Sequence, residues 1–499
     1  MTRAELAAIA IGVLLLMIAE AAVNNPAILF SRYLWFDELQ AKLVESQPGI
    51  WHSMTVLAHS GDITPPTYHL IARASWWLAG IFGGSAETAW RLLSFAAIWL
   101  GLILTYAVLR RSFATLPSLI AVLMVWACPL TVWCAFFARP YALLMASSAG
   151  FCFAWCDEDS HPVMTAFFAM LMCALHYFGI FALSAIIIGD LVIRHQSWRN
   201  NLRRLLPAAT GPLVLLLLMP FFRAQVTGYE QRAWLPPLTW DFASGVIVST
   251  FYLPVLVVLI LLGAWWVSGW IKSAPAELSV AQLKEVMRPV AGMLGLLLVP
   301  LAVLMISFRE NHLVDRYLIT ALLGFAPVAA VLGSHLSRWV QAAALVVVIV
   351  LGAHSMRNLG AEHTRWQADE EDMVEECTAM ASDGYPLISL TSHEAYLLYE
   401  YAPDLRKKLL IVDLRPELRS DMTELALNDG TSSARWQAVI PDLPHQTTLD
   451  DLRRIGKFHV VFKTEMPILR NGFLPFRKVD GYGTSGVFRI DPRFHGATP

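Results

Sequence analysis

Charge is scarce in this chain. Only 15% of its 499 residues are Asp, Glu, Lys or Arg, the net charge is −2, and no block of basic residues occurs. That leaves no electrostatic footprint for a nucleic acid partner. Cysteine is scarce too. Cys128, Cys134, Cys152, Cys156 and Cys173 fall inside apolar segments and Cys377 stands alone in a polar stretch, a distribution that supplies neither a disulfide framework nor zinc-ligand spacing. Cys152 and Cys156, at helical spacing, read as packing residues. Internal repeats and low-complexity tracts are also lacking, which sets aside solenoids and disordered arrays.

Hydrocarbon is what the chain has in excess: 56% hydrophobic residues and a mean hydropathy of +0.53, with apolar runs recurring almost to residue 355. The class is an α-helical polytopic membrane protein. Eleven spans are predicted, at 5–23, 89–109, 116–134, 140–156, 162–176, 178–193, 205–222, 244–267, 289–307, 316–334 and 339–355. The first follows Arg3 and is not followed by a small-residue cleavage site, so it reads as a retained helix. The apolar stretch 66–82 contains Arg73, opens with Pro65-Pro66 and is shorter than the ~20 residues a crossing needs. It reads as an interfacial or re-entrant helix.

Orientation follows from Lys and Arg near the span ends. A cytoplasmic N-terminus places Arg110-Arg111, the Arg194, Arg199, Arg203, Arg204 cluster, the Lys272–Arg288 loop and Arg338 inside. Residues 1–356 then form a transmembrane domain whose first outer loop, 24–88, is long. Residues 357–499 form an extracytoplasmic soluble domain. Strand patterns at 386–390, 408–414, 458–462 and 486–490, with a helix at 394–401, give this tail an α/β character.

Chemistry-bearing residues collect on the outer face. Asp37, Glu38 and Asp62 lie in the first loop. Asp37, with Gln40 three residues on, also fits a helix N-cap that opens a helix carrying Leu39 and Leu43. Asp62 also fits a turn, with Thr64 capping and Pro65 at the first helical position. His69 and Arg73, four apart, share a helix face beside Trp76 or Trp77. Arg139, Arg223, Arg232, Arg309 and Arg316 fall outside, where the charge bias does not require them, and Arg91 sits near a span mouth. Gathered by folding, they would form a basic rim suited to a phosphate or pyrophosphate. Singly, each also fits an arginine snorkelling to lipid headgroups. His176 and Tyr177 mark a tight outer turn, where a structural histidine is an equally open reading.

These residues occur in a telling order. Phe36-Asp-Glu38, Asp62-Ile-Thr-Pro-Pro-Thr-Tyr-His69, Arg91-Leu-Leu-Ser94, Ala138-Arg-Pro-Tyr-Ala142, Leu175-His-Tyr-Phe-Gly179 and Asp315-Arg-Tyr-Leu-Ile319 together resemble the GT-C membrane glycosyltransferases. Within them the chain is similar to bacterial relatives of dolichyl-phosphate-mannose protein mannosyltransferases, glycosyltransferase family 39. The resemblance covers roughly residues 5–335, and the tail matches no known family pattern.

The resemblance implies inverting transfer of a mannose-like or related sugar. The donor would be a polyprenyl-phosphate sugar and the acceptor a hydroxyl of a glycan, lipid or protein on the extracytoplasmic face of a bacterial inner membrane. Carried over, Asp37 is the general base. Asp62 orients the acceptor or, as in some relatives, helps hold a divalent cation, with the metal itself unspecified. Arg139 and Arg316 lead as donor-phosphate ligands, with Arg91 and Arg309 behind them. Glu38, His69, Tyr141, His176 and Tyr317 are the substrate-binding candidates. One departure stands out: Thr64-Pro-Pro replaces the Lys-Pro-Pro of many relatives. The rival readings are a lipid-linked sugar transporter or flippase, a diphosphate-dependent glycan ligase or polymerase, and a sensor or assembly tail on a membrane anchor. A transporter places ionisable groups near the midplane, whereas Glu20 and Asp190 lie near span ends. Eleven spans and a charged first loop exceed what an anchor needs.

Overall fold

The computed structural model describes residues 26–59, 62–156, 161–194, 198–227, 238–272, 285–309, 311–389, 392–412, 440, 442–447, 449–461, 476–480 and 487–490. The predicted span 5–23 and Arg232 lie outside them. Helices occupy every other predicted span, and the protein is a helical multi-pass membrane protein. Six helices are long and apolar enough to cross a bilayer unaided: Ala86–Leu109, Arg204–Val226, Trp240–Val267, Glu285–Ser307, Asp315–Ser334 and Arg338–Asp383.

A seventh crossing requires the pair Thr115–Ala127 and Pro129–Ala135, which meet at 69°. The cause of the bend is local. Pro129 forces its predecessor out of the helical region, and Cys128 accordingly sits at φ −62, ψ 129. Tyr141–Trp155, Pro162–Leu175 and Gly179–Arg194 have 15, 14 and 16 residues. At ~1.5 Å per residue they reach about 21–24 Å, short of the ~30 Å hydrocarbon core. The expected eleven spans are therefore met by length in six or seven cases among the described residues. Pro66–Gly80 has 15 residues and is likewise shorter than a crossing.

The chain divides into two compact units. The first comprises residues 1–32, 64–219 and 238–364, and the second 33–63, 220–237 and 365–499. In the first unit small residues let helices approach closely, the usual means of association where lipid offers no hydrophobic driving force. Ala86–Leu109 packs on Tyr141–Trp155 through Gly101, where a Cβ would lie 3.2 Å from the Ala146 Cα. A Cβ on Gly189 would fall 2.6 Å from the Gly295 Cα. Polar side chains are spent on carbonyls: the Ser94 hydroxyl donates to Phe137 O at 2.8 Å, the Trp90 indole N–H to Ala72 O at 2.9 Å, and the Ser355 hydroxyl to Ala127 O at 2.8 Å.

The second unit contains a six-stranded sheet of order β3-β2-β1-β4-β6-β5. The strands are β1 Leu387–Ser389, β2 Leu409–Val412, β3 His445–Thr447, β4 Phe458–Val461, β5 Phe476–Asp480 and β6 Val487–Ile490. The first four in that order are parallel, and β6 and β5 are added antiparallel. β1 and β4 are buried throughout, as strands covered on both faces should be. The helix Ser392–Tyr401 links β1 to β2. At the start of β4, His459 Nε2 lies 2.9 Å from Asp383 Oδ2. Burial, which would raise the Asp383 carboxyl, is outweighed by the Tyr385 amide and His459, and its pKa falls below the ordinary value.

Asp190 is 1% exposed and is held by Arg204 at 2.9 Å, with the guanidinium 4.5 Å from the Trp155 ring centroid. This buried carboxylate is thus neutralised by a fixed partner. Asp190→Ala should strand the arginine and cost about 3–5 kcal/mol, read as a lowered melting temperature in detergent. An unchanged melting temperature would show the pair to be idle.

Candidate functional site

In the helical unit, three segments far apart in sequence meet at Tyr141, its own among them. Tyr141 begins the helix Tyr141–Trp155 directly after Ala138-Arg-Pro. Arg316 and Tyr317 lie in the short 3₁₀ turn Asp315–Leu318 that leads into Ile319–Ser334. His176 terminates Pro162–Leu175, and Phe178 precedes Gly179–Arg194. Arg316 Nε donates to the Tyr141 hydroxyl at 3.0 Å, and its guanidinium lies 5.8 Å from the Tyr141 ring centroid. The Asp315 carboxylate accepts from the Arg316 amide at 2.7 Å, fixing the turn.

Rings enclose this pair. His176 stands 5.5 Å from Tyr141 and 5.2 Å from Tyr317, Tyr141 and Tyr317 are 6.1 Å apart, and Phe178 stacks on Tyr317 at 4.5 Å. The Phe178 amide donates to His176 Nδ1 at 3.1 Å, so the neutral imidazole carries its proton on Nε2. Tyr141 and His176 are buried, 3% and 6% exposed, while Arg316 and Tyr317 are half-buried. A guanidinium oriented by a phenol and flanked by aromatic faces can bind an anion and stack against a flat or sugar-like group.

Arg139 is also buried, 7% exposed. Its Nη2 donates to the Thr64 hydroxyl at 2.8 Å, so the residue that departs from the Lys-Pro-Pro pattern is a direct partner of a candidate phosphate ligand. Thr64 is therefore not a helix cap: the helix is Pro66–Gly80, Pro65 is its N-cap and Pro66 its first residue. The expected proline start is shifted by one position, because Pro65 at ψ 150 is already extended as a residue before proline must be. His69 on this helix is 1% exposed and edge-on to Tyr68 at 5.4 Å.

Arg91 is fully buried and donates from Nη1 to the carbonyls of Arg32 at 2.7 Å and Phe30 at 3.3 Å. It secures the backbone that enters the first loop. Arg309 is exposed just beyond Val299–Ser307.

The acidic candidates belong to the second unit. Asp37 and Glu38 lie in the first turn of Phe36–Glu45, whose N-cap is Trp35. The capping role expected for Asp37 is thus corrected. The helix begins earlier, and Glu38 Oε2 accepts from the Trp35 amide at 2.8 Å, the reciprocal half of a capping box. Glu38 is fully buried while Asp37 is half-buried. Leu39 and Leu43 are buried as expected. Asp62 is 1% exposed, and its backbone carbonyl accepts from Gln225 Nε2 at 2.8 Å. Among the described residues no three His, Cys, Asp or Glu side chains are grouped as a metal site requires.

Sequence reasoning passed over Phe178, and it noted Thr64 only as a departure and a cap. Phe178 lies inside a quoted motif but resembles any apolar residue until its ring is seen against Tyr317. Thr64 was flagged by the missing lysine, which gave no hint of its partner.

The fold is shared over nearly the whole chain with ArnT from Cupriavidus metallidurans. The crystal structure of that protein in the apo state aligns at a TM-score of 0.58 and 14% identity, covering 98% of this chain and 100% of that one. Its crystal structure bound to undecaprenyl phosphate aligns at 0.56 and 13% identity, covering 98% and 99%. No family model matches the chain, and no curated protein matches it either. The likeness is therefore one of fold.

The division between neighbouring carboxylates can be tested on the helix itself. Glu38→Ala should remove the acceptor of the Trp35 amide and cost about 1 kcal/mol, seen as faster amide exchange at Trp35, whereas Asp37→Asn should leave that exchange unchanged. Equal effects of the two substitutions would return the capping role to Asp37.

Proposed function

We propose that this protein is an inverting glycosyltransferase that moves a sugar from a polyprenyl-phosphate donor to an acceptor hydroxyl on the outer face of the membrane. The observation that carries the reading is the Arg316–Tyr141 pair ringed by His176, Tyr317 and Phe178, set in a fold shared with a protein crystallised with undecaprenyl phosphate. Polar chemistry of this density in a bundle of apolar helices calls for an anionic, partly apolar ligand. A lipid phosphate is that ligand class.

In the proposed reaction the acceptor oxygen attacks the anomeric carbon while the bond from that carbon to the donor phosphate oxygen breaks. Asp37 takes the hydroxyl proton as the new bond forms. Arg316 and Arg139 stabilise the charge that develops on the departing polyprenyl phosphate. Tyr141 orients Arg316, and His176 and Tyr317 offer N–H, O–H and ring faces to the sugar. Asp62 and His69 serve acceptor positioning, Glu38 holds the helix that presents Asp37, and Arg91 and Arg309 stand behind the leading arginines. The mannose-like identity of the sugar remains part of the proposal. So does the topology: a cytoplasmic N-terminus, residues 1–356 as the transfer domain, and residues 357–499 as an extracytoplasmic domain of a bacterial inner-membrane protein.

A transporter would keep an ionisable group available within the bundle. Asp190, a buried carboxylate of the helical unit, is instead tied to Arg204, which favours the enzyme. A diphosphate-linked donor would use the same arginines and differs only in leaving group.

Asp37→Asn should lower transfer about 10²–10⁴-fold while leaving donor binding near normal, checked with purified protein, labelled polyprenyl-phosphate sugars and membrane extracts. Retained transfer would remove Asp37 from the mechanism. Arg139→Ala and Arg316→Ala should each weaken donor binding about 10- to 100-fold, the worth of a charge-assisted hydrogen bond. Unchanged affinity in both would sink the phosphate site.

A further inference from the structure

The segment that carries Asp37 is unusual in how its backbone is held. Three consecutive amides lead into the helix Phe36–Glu45, and each donates to a side chain. Tyr33 N–H reaches Gln367 Oε1 at 2.7 Å, Leu34 N–H the Tyr401 hydroxyl at 3.0 Å, and Trp35 N–H Glu38 Oε2 at 2.8 Å. Two of the three acceptors come from beyond residue 364, more than 300 positions away in sequence.

The rings repeat the pattern. Tyr33 stacks on Tyr401 at 4.0 Å, Trp35 on Trp366 at 5.4 Å, and Phe36 on Tyr396 at 6.3 Å, while His393 stands edge-on to Trp35 at 4.7 Å. Beyond Asp37, Lys42 pairs with Glu400 at 2.8 Å and lies 5.4 Å from the Tyr401 ring centroid. Lys42 and Glu400 are 12% and 23% exposed, so the pair is partly shielded from solvent. Burial, reinforced by the Glu371 and Glu370 carboxylates, raises the Tyr33 phenol above its ordinary pKa and keeps its ring neutral in the stack.

Asp37 is therefore clamped on both sides by the C-terminal segment, at residues 33–36 and again at Lys42, while its own side chain remains half-buried. The helix Ser392–Tyr401 supplies most of the clamp. It follows β1 in the parallel part of the sheet, so the sheet fixes where the clamp stands.

We infer that the C-terminal α/β segment acts as a positioning platform for Asp37, with Tyr401 and the Lys42–Glu400 pair as its positioning residues. The inference rests on Asp37 being the general base. A base must be held within a fraction of an ångström of its productive place, and a misplacement of about 1 Å can cost on the order of 10²-fold in rate. The clamp supplies that precision to the segment that carries Asp37. The role concerns the chemical step: on this reading the platform residues hold the base and leave the donor to the arginines, so their loss should spare donor binding.

The test uses the full-length protein in nanodiscs with two readouts: amide exchange of residues 33–38, and kcat and donor KM for transfer from a polyprenyl-phosphate sugar. Glu400→Lys should speed exchange of this stretch and lower kcat about tenfold or more, with donor KM within about twofold of wild type. Adding Lys42→Glu should restore the pair with reversed sign and recover most of both losses. Tyr401→Phe, which keeps the stack but removes the acceptor, should speed exchange at Leu34 and lower kcat by a smaller factor.

Normal exchange in both Glu400→Lys and Tyr401→Phe would overturn the clamp itself. Faster exchange with unchanged kcat would overturn the positioning role, as would a loss confined to donor KM or a double variant without recovery. Asp37→Asn assayed alongside separates the two layers: if it retains transfer, the general-base reading falls and the positioning role falls with it, while the exchange data still decide whether the clamp exists.

Discussion

The hydrocarbon interior supplies no water to a stray amide or charge, and the arrangement of polar groups in the helical unit follows from that constraint. Ser94, Trp90 and Ser355 give their protons to carbonyls of neighbouring helices. Arg91, fully buried, spends one nitrogen on two backbone carbonyls, and Asp190 is neutralised by Arg204. Once these internal debts are settled, the polar groups that gather without a purely structural task stand out. They are Arg316, Tyr141, His176 and Tyr317.

That cluster is built from helix ends rather than helix middles. Tyr141 starts a helix, His176 ends one, Phe178 precedes another, and Arg316 and Tyr317 occupy a 3₁₀ turn ahead of a fourth. The three helices too short to cross a bilayer, Tyr141–Trp155, Pro162–Leu175 and Gly179–Arg194, are the ones that bring Tyr141, His176 and Phe178 together. Three helices that miss the crossing length are thus the ones whose ends meet at the site.

Much of this was legible in sequence, and the limits are physical. Apolar runs mark where helices lie because burial in lipid selects composition, and short apolar runs within the polar tail mark β1, β2, β4 and β6. Among the described residues six or seven of the eleven predicted spans meet the crossing length, because hydropathy measures apolarity and not the length of the helix that carries it. The strands β3, His445–Thr447, and β5, Phe476–Asp480, were missed: short polar strands are defined by the neighbours they pair with, which no local pattern records. Asp37 also fits a cap in sequence because Asp-x-x-Gln resembles a capping box, whereas the helix starts at Phe36 and the buried Glu38 does the capping. The contacts of Tyr33 and Leu34 with Gln367 and Tyr401 were invisible for the plainest reason. Nothing in a single sequence marks two residues as neighbours across more than 300 positions.

The threonine at 64 bears on how positive charge is distributed. Where the Lys-Pro-Pro pattern would place lysine, this chain offers a hydroxyl that accepts from Arg139 Nη2 at 2.8 Å. A lysine there would set a second cation against a buried guanidinium, a repulsion tolerable only while an anion lies between them. Threonine removes the repulsion and gives Arg139 a neutral acceptor, so the arginine can be held in place before any ligand arrives. On the proposed reading, positive charge at this position then rests on Arg139 alone, and its direction is set by Thr64 much as Tyr141 sets that of Arg316. Each leading arginine would thus be oriented by a hydroxyl, an arrangement that trades one unit of attraction for preorganisation.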